Sequence, residues 1–119
     1  MRNLIVAVIS AAWLSAAVTG AAQAQAVTDH IYQAAYVYNI DADWMIRIAR
    51  CESRLDPTIT SRNGLYHGMY QYDWPTWYEL SRQAGYTGWS PYNPEAAAQV
   101  TAYALRRGQA YRWPTCRYA

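Results

Sequence analysis

The chain has 119 residues and a net charge of +2, with 10 basic side chains, all arginine, against 8 acidic ones. Hydrophobic residues make up 53% and charged residues 15%, which is too apolar and too weakly charged for an intrinsically disordered chain. One compact domain is the upper bound at this length. The small net charge argues against nucleic acid as the main partner, because phosphate binding draws on clustered cations.

Arg2, the apolar run Leu4 to Val18, and the small-x-small site Ala24-Gln25-Ala26 follow the layout of a secretory signal peptide over residues 1–26. The competing reading is an uncleaved membrane anchor, but the run is short of the about 20 residues that a span needs. Cleavage leaves residues 27–119 as one domain. It is expected to be exported to the periplasm or the extracellular cell wall, to be monomeric, and to have no stable membrane insertion once the signal is removed. So small a domain has a thin core and benefits from a staple. Cys51 and Cys116 are its two cysteines, and in an oxidising compartment a disulfide is the default. Closing that loop contributes about 4 kcal/mol on the chain-entropy model. The competing reading is a nucleophilic Cys51, although no histidine lies in a recognisable partner motif.

A first helix is expected from Thr28, with Ile31, Ala34, Ala35 and Tyr38 on one face. Asp41 and Asp43 offer N-caps for a second, from about Trp44 to Arg54. Its apolar stripe reads as Trp44, Ile48, Cys51 and Leu55, and Asp56-Pro57 ends it. Ser61-Arg62-Asn63-Gly64 is turn chemistry, and Leu65 to Tyr72 reads as loop or short extended structure. Trp74-Pro75-Thr76 opens a third helix to about Ala84. Asn93-Pro94-Glu95 combines an N-cap, a first-position proline and an acid against the dipole. It starts a fourth helix that runs to Arg107 and stops at Gly108. The fold expected is therefore mainly α, about four helices with an irregular or short extended segment forming one cleft wall.

Metal chemistry finds little footing. His30 and His67 are far apart and outside any His-Glu-x-x-His pattern, so neither a metal nor a cofactor is expected. Phosphate loops and serine elbows are missing from the sequence too. Carboxylates remain. Glu79 has Arg82 three residues on, so a solvated helix pair accounts for it, and Glu95 is accounted for by the helix dipole. Glu52 differs: its helical neighbours are Ile48, Ala49, Leu55 and Asp56, none of them a cation. Desolvation there should raise its pKa and suit a general acid; a glutamate held protonated in a hydrophobic pocket is how lysozyme obtains its proton donor. The alternative is a buried glutamate paired with an arginine from elsewhere in the chain. Between Tyr66 and Tyr78 the aromatics Tyr66, Tyr70, Tyr72, Trp74, Trp77 and Tyr78 interleave with Gln71, Asp73 and Thr76. Stacking faces mixed with directed polar groups suit sugar rings, while some of these rings, Trp77 first, must build the core.

Ile48-Ala49-Arg50-Cys51-Glu52-Ser53, Gly68-Met69-Tyr70-Gln71, Asn93-Pro94-Glu95 and Tyr103-Ala104-Leu105 resemble the soluble lytic transglycosylase domain. Cys51-Glu52-Ser53, the Asn63-Gly64 turn, Gln71-Tyr72-Asp73 leading to Thr76-Trp77, and Trp113-Pro114-Thr115-Cys116 look still more like resuscitation-promoting factors. Those are disulfide-stapled relatives within the lysozyme-like superfamily. The resemblance covers roughly residues 40 to 117. It implies that Glu52 is the catalytic acid, that Gln71 and Thr76 line a glycan cleft, and that Cys51 bonds Cys116. Tyr66, Tyr72 and Trp74 are further candidates for sugar contacts. The implied reaction is cleavage of the β-1,4 bond between N-acetylmuramic acid and N-acetylglucosamine in peptidoglycan strands, giving 1,6-anhydromuramyl products. Two-carboxylate chemistry would need a second acid opposite Glu52, and none stands out. The spacing from Gly68 to Gln71 follows the transglycosylases, one residue longer than in the resuscitation factors, and the late Ala-Tyr-Asn motif of transglycosylases has no counterpart. The rival readings are a hydrolytic muramidase of the same fold and a secreted glycan-binding or signalling protein whose Glu52 is structural.

Overall fold

Side-chain caps set where each helix begins. Thr19 accepts from the Ala22 N–H, Asp41 from Asp43, Asp73 from Thr76 and Asn93 from Ala96, each satisfying a backbone donor that the first turn leaves open. They start α1 (Gly20–Tyr38), α2 (Ala42–Ser53), α3 (Trp74–Gln83) and α4 (Pro94–Arg106). Two short 3-10 turns follow, Ala110–Arg112 and Cys116–Tyr118. This computed structural model describes residues 19–119; Arg2 and the apolar run from Leu4 to Val18 lie outside them.

The described residues are mainly helical, as expected, with four α-helices among them and a short extended stretch in which His67 bridges both Thr60 and Tyr72. α4 is the central element. Every residue from Ala96 to Leu105 is buried, the polar Gln99 and Thr101 included; most of the rest are apolar or small, and the alanines let neighbours approach closely. α1 lies along it with Val27, Ile31, Ala34 and Ala35 buried. That helix begins at Gly20, earlier than Thr28, and passes unbroken through Ala24-Gln25-Ala26. Residues 19–26 are all exposed, and Val27 is the first buried position among the described residues.

α2 corrects the expected stripe. Met45, Ile46, Ile48, Ala49 and Ser53 are the buried residues, so the core-facing side is rotated from the Trp44–Cys51 line. Trp44 and Cys51 instead face the C-terminal segment: the Trp44 indole donates to Arg117 O at 2.9 Å, and Cys51 is bonded to Cys116. α2 also stops sooner than Asp56-Pro57 requires. Arg54 and Leu55 both turn left-handed, with φ of 56° and 62°, and the Arg54 N–H caps Ala49 O and Arg50 O. Two consecutive non-glycine residues in that region are strained.

Large aromatics fill the remaining core with their polar atoms satisfied. Trp77 is 1% exposed and its indole donates to Trp89 O at 2.8 Å. Tyr70 donates to Met45 O on α2 at 3.1 Å, and the Trp113 indole donates to Tyr70 O at 3.0 Å. These bonds avoid the cost of about 1–3 kcal/mol for each unpaired buried group.

Candidate active site

The extended segment that carries the candidate cleft residues is built on backbone geometry. Asn63 Oδ1 accepts from Ser61 Oγ at 2.6 Å and from the Leu65 N–H at 3.0 Å, which closes the turn and presents Tyr66. Gly68 has φ of +78°, and a Cβ there would lie 2.2 Å from Pro91 O; no other residue fits. Gln71 takes φ of 54° despite its side chain. Its amide nitrogen holds it there, donating to Gly68 O at 2.9 Å and to Ile59 O at 3.4 Å. That spends the amide donors and leaves Oε1 as an acceptor.

Between this segment, α3 and the 3-10 turn at Ala110–Arg112 lies a cavity of about 230 Å³. Tyr66, Gln71, Tyr72 and Thr76 line it, together with Tyr70, Asp73, Tyr111, Arg112 and Trp113. Four of the expected site residues are therefore brought together. They differ in what they offer. Tyr66 is 43% exposed, whereas Tyr72 is 4% exposed, packs against Trp77 and Trp113, and ties its hydroxyl to Thr101 Oγ1 at 2.7 Å. Burial pushes the Tyr72 phenol well above its usual range. Tyr72 is a floor rather than a stacking face.

Trp74 lies outside this lining. It is 40% exposed and sits between the rings of His67 (4.7 Å) and Tyr78 (5.6 Å, near-parallel). His67 is buried there, with Nδ1 2.6 Å from the Tyr92 hydroxyl and Nε2 without a partner. Tyr92 in turn meets Thr60 Oγ1 at 2.6 Å. A second, larger space of about 550 Å³ lies between Gly20–Val27 of α1, the 54–58 segment and Pro94. It contains none of the candidate residues, and most of one wall precedes Val27.

Glu52 is not among the residues lining the 230 Å³ cavity, but two links couple its helix to that wall. Cys51, next to it, is bonded to Cys116, with the two Cα atoms 5.5 Å apart, and Trp113 lies three residues before Cys116. Tyr70 reaches back to Met45, and Met45, Ile48 and Glu52 succeed one another on one face of α2. The Glu52 carboxyl is half-buried. Its pKa is raised, with desolvation as the cause; no cation among the described residues offsets it, so the arginine-paired alternative has no support. The other glutamates have local partners: Glu79 is met by Gln83 at 3.4 Å rather than by Arg82, and Glu95 by the Tyr86 hydroxyl at 3.4 Å.

Among the described residues no group of three or more His, Cys, Asp or Glu side chains could hold a metal ion. None of their helices is long and apolar enough to cross a membrane. Tyr111 and Arg112 are the wall residues that sequence reasoning missed. They belong to no motif, and only the chain reversal after α4 delivers them.

The family model described as the transglycosylase SLT domain matches residues 29–112. Neither the curated proteins nor the solved structures yield a match.

Proposed function

The chain belongs to the transglycosylase SLT domain family, and from that premise we propose that it cleaves the β-1,4 bond between N-acetylmuramic acid and N-acetylglucosamine in peptidoglycan, with Glu52 as its single catalytic carboxyl. The observation that carries the reading is the state of Glu52: a half-buried carboxyl, raised by desolvation alone, on a helix stapled to the C-terminal segment that carries part of the wall of an aromatic cavity. In its protonated form, which burial favours, the carboxyl can donate to the glycosidic oxygen as the bond to C1 breaks. The resulting carboxylate then takes the proton of the muramyl C6 hydroxyl as that oxygen closes on C1. The glutamic acid is regenerated, no water is consumed, and a 1,6-anhydro ring results. Gln71 Oε1, Thr76 and the exposed ring of Tyr66 are the groups assigned to hold the sugar, with Tyr72 below them and Trp74 at the margin.

Residues 1–26 are assigned as a cleaved signal. The start of burial at Val27 supports a domain over 27–119, and the Cys51–Cys116 bond suits an oxidising compartment outside the cytoplasm. The domain is proposed to act there as a monomer on glycan strands.

The test is Glu52→Gln, which keeps the shape and removes the proton. The variant should fold, by circular dichroism, and lose at least about a hundredfold in release of soluble fragments from purified peptidoglycan. Release equal to that of the parent would remove Glu52 from the chemistry and favour the non-catalytic glycan-binding reading.

A further inference from the structure

The cavity wall carries two charged side chains of opposite sign, Asp73 and Arg112. Asp73 is committed to the fold: its Oδ1 accepts the Thr76 N–H at 2.9 Å, and its charge complements the start of α3. Arg112 is not spent in that way. Its Nε donates to the neutral amide oxygen of Gln109 at 2.8 Å, and the guanidinium carbon lies 5.5 Å from the Tyr111 ring centroid. These contacts fix the plane of the guanidinium through one edge. They leave the two terminal nitrogens, whose paired N–H groups match the two oxygens of a carboxylate. The charge is felt inside the cavity, since it opposes the upward push of burial on the Tyr72 hydroxyl at the floor. Flanking it are Tyr66 and Tyr111, 43% and 58% exposed, which offer flat faces for sugar rings.

We propose that Arg112 is a specificity-determining residue of the cleft, its guanidinium binding a carboxylate carried by the glycan, so that strands with an acidic substituent are preferred over neutral strands of equal length. This rests on the reading of the cavity as a glycan cleft. The acid that fits is one appended to a sugar ring, either the lactyl carboxylate of a muramyl residue or a carboxylate of a peptide attached to it. A neutral polymer of N-acetylglucosamine offers the same rings without that anchor. Tyr66 and Tyr111 would then supply affinity common to both polymers, and Arg112 the difference between them.

The test measures binding by calorimetry with the Glu52→Gln protein, so that turnover does not interfere. The probes are three tetrasaccharides: one of alternating N-acetylglucosamine and N-acetylmuramic acid, the same compound with its carboxylates amidated, and one of N-acetylglucosamine alone. A fourth probe carries peptide stems on the muramyl units. An acidic probe should bind about tenfold tighter than the neutral ones, as one partly exposed charged pair allows, and the gap should narrow with added salt. Preference already present with the free lactyl acid assigns the lactyl carboxylate; preference confined to the stem-bearing probe assigns the stem. Adding Arg112→Gln should erase the gap between acidic and neutral probes, and Arg112→Lys should restore part of it. Equal affinities for all four probes, a gap that survives Arg112→Gln, or no binding at all would overturn the proposal. Glycan cleavage by the parent protein is read separately from its products, so failure of the charge preference leaves the assignment of Glu52 standing, and failure of Glu52 leaves the binding data interpretable.

Discussion

Replacing Cys51 and Cys116 together by Ala should remove a large share of the stability of the domain. The bond joins residues 65 apart in sequence. A closed loop of that size removes unfolded-chain entropy equivalent to about 4 kcal/mol at 25 °C. What remains to hold the C-terminal turns is modest: the Trp44 indole on Arg117 O, Arg47 Nε on Ala119 O at 3.0 Å, and the Trp113 indole on Tyr70 O. Domains of this size have a total stability of about 5–14 kcal/mol, so the loss is a large share of it. Urea unfolding followed by tryptophan fluorescence is the assay, with free energies extrapolated to water, because the uncrosslinked unfolded chain exposes more surface and steepens the transition. A loss of about 3–5 kcal/mol is expected. A loss below about 1 kcal/mol, with the parent's disulfide verified by mass, would refute the staple argument.

Glu52 gives a prediction with a definite sign. Its folded-state pKa lies above the unfolded value because burial disfavours the charged form. Between those two values the native state binds more protons than the unfolded state, so stability declines as pH rises through that window and then levels off. Activity that needs the protonated acid should fall as pH rises through the raised value, and Glu52→Gln should be at least as stable as the parent above it; full activity well above neutrality, or a variant destabilised there, would contradict this. Gly68→Ala should cost about 3 kcal/mol or more, because its Cβ meets Pro91 O at 2.2 Å. Gly64→Ala, with nothing within 4 Å of the added carbon and φ of +75°, should cost about 1 kcal/mol. Thermal unfolding of the two variants compares them directly, and equal losses would refute the close approach.

The helices were legible where caps and breakers coincide. Asn93-Pro94-Glu95 marked the start of α4, as observed; of the two caps offered for α2, Asp41 and Asp43, the structure uses Asp41, so that helix starts at Ala42 rather than at about Trp44. Trp74-Pro75 marked the start of α3, whose cap, Asp73, the structure supplies. The facing of α2 was not legible, because both of its long sides are apolar. Met45, Ile48 and Ala49 meet the core, while Trp44 and Cys51 meet the C-terminal turns, and periodicity alone cannot rank two apolar stripes. The isolation of Glu52 was half readable. Its helical neighbours could be checked in the sequence, but the lack of a distant arginine depends on how the chain packs. Tyr72 shows the same limit: its bond to Thr101 of α4 spans 29 residues, and nothing local separates a sugar-facing tyrosine from one hydrogen-bonded in the core. Tyr111 and Arg112 reach the cavity only because the segment after α4 folds back to Cys51.

Mass spectrometry of the soluble fragments released from purified peptidoglycan tests the central claim most directly. A single carboxyl working through the C6 hydroxyl predicts muropeptides ending in a 1,6-anhydromuramyl ring, lighter by one water than hydrolytic products, and their loss with Glu52→Gln. Fragments bearing only reducing ends would contradict the anhydro route and assign the cleft to a hydrolase, and the absence of any cleaved glycan would contradict the assignment of activity altogether.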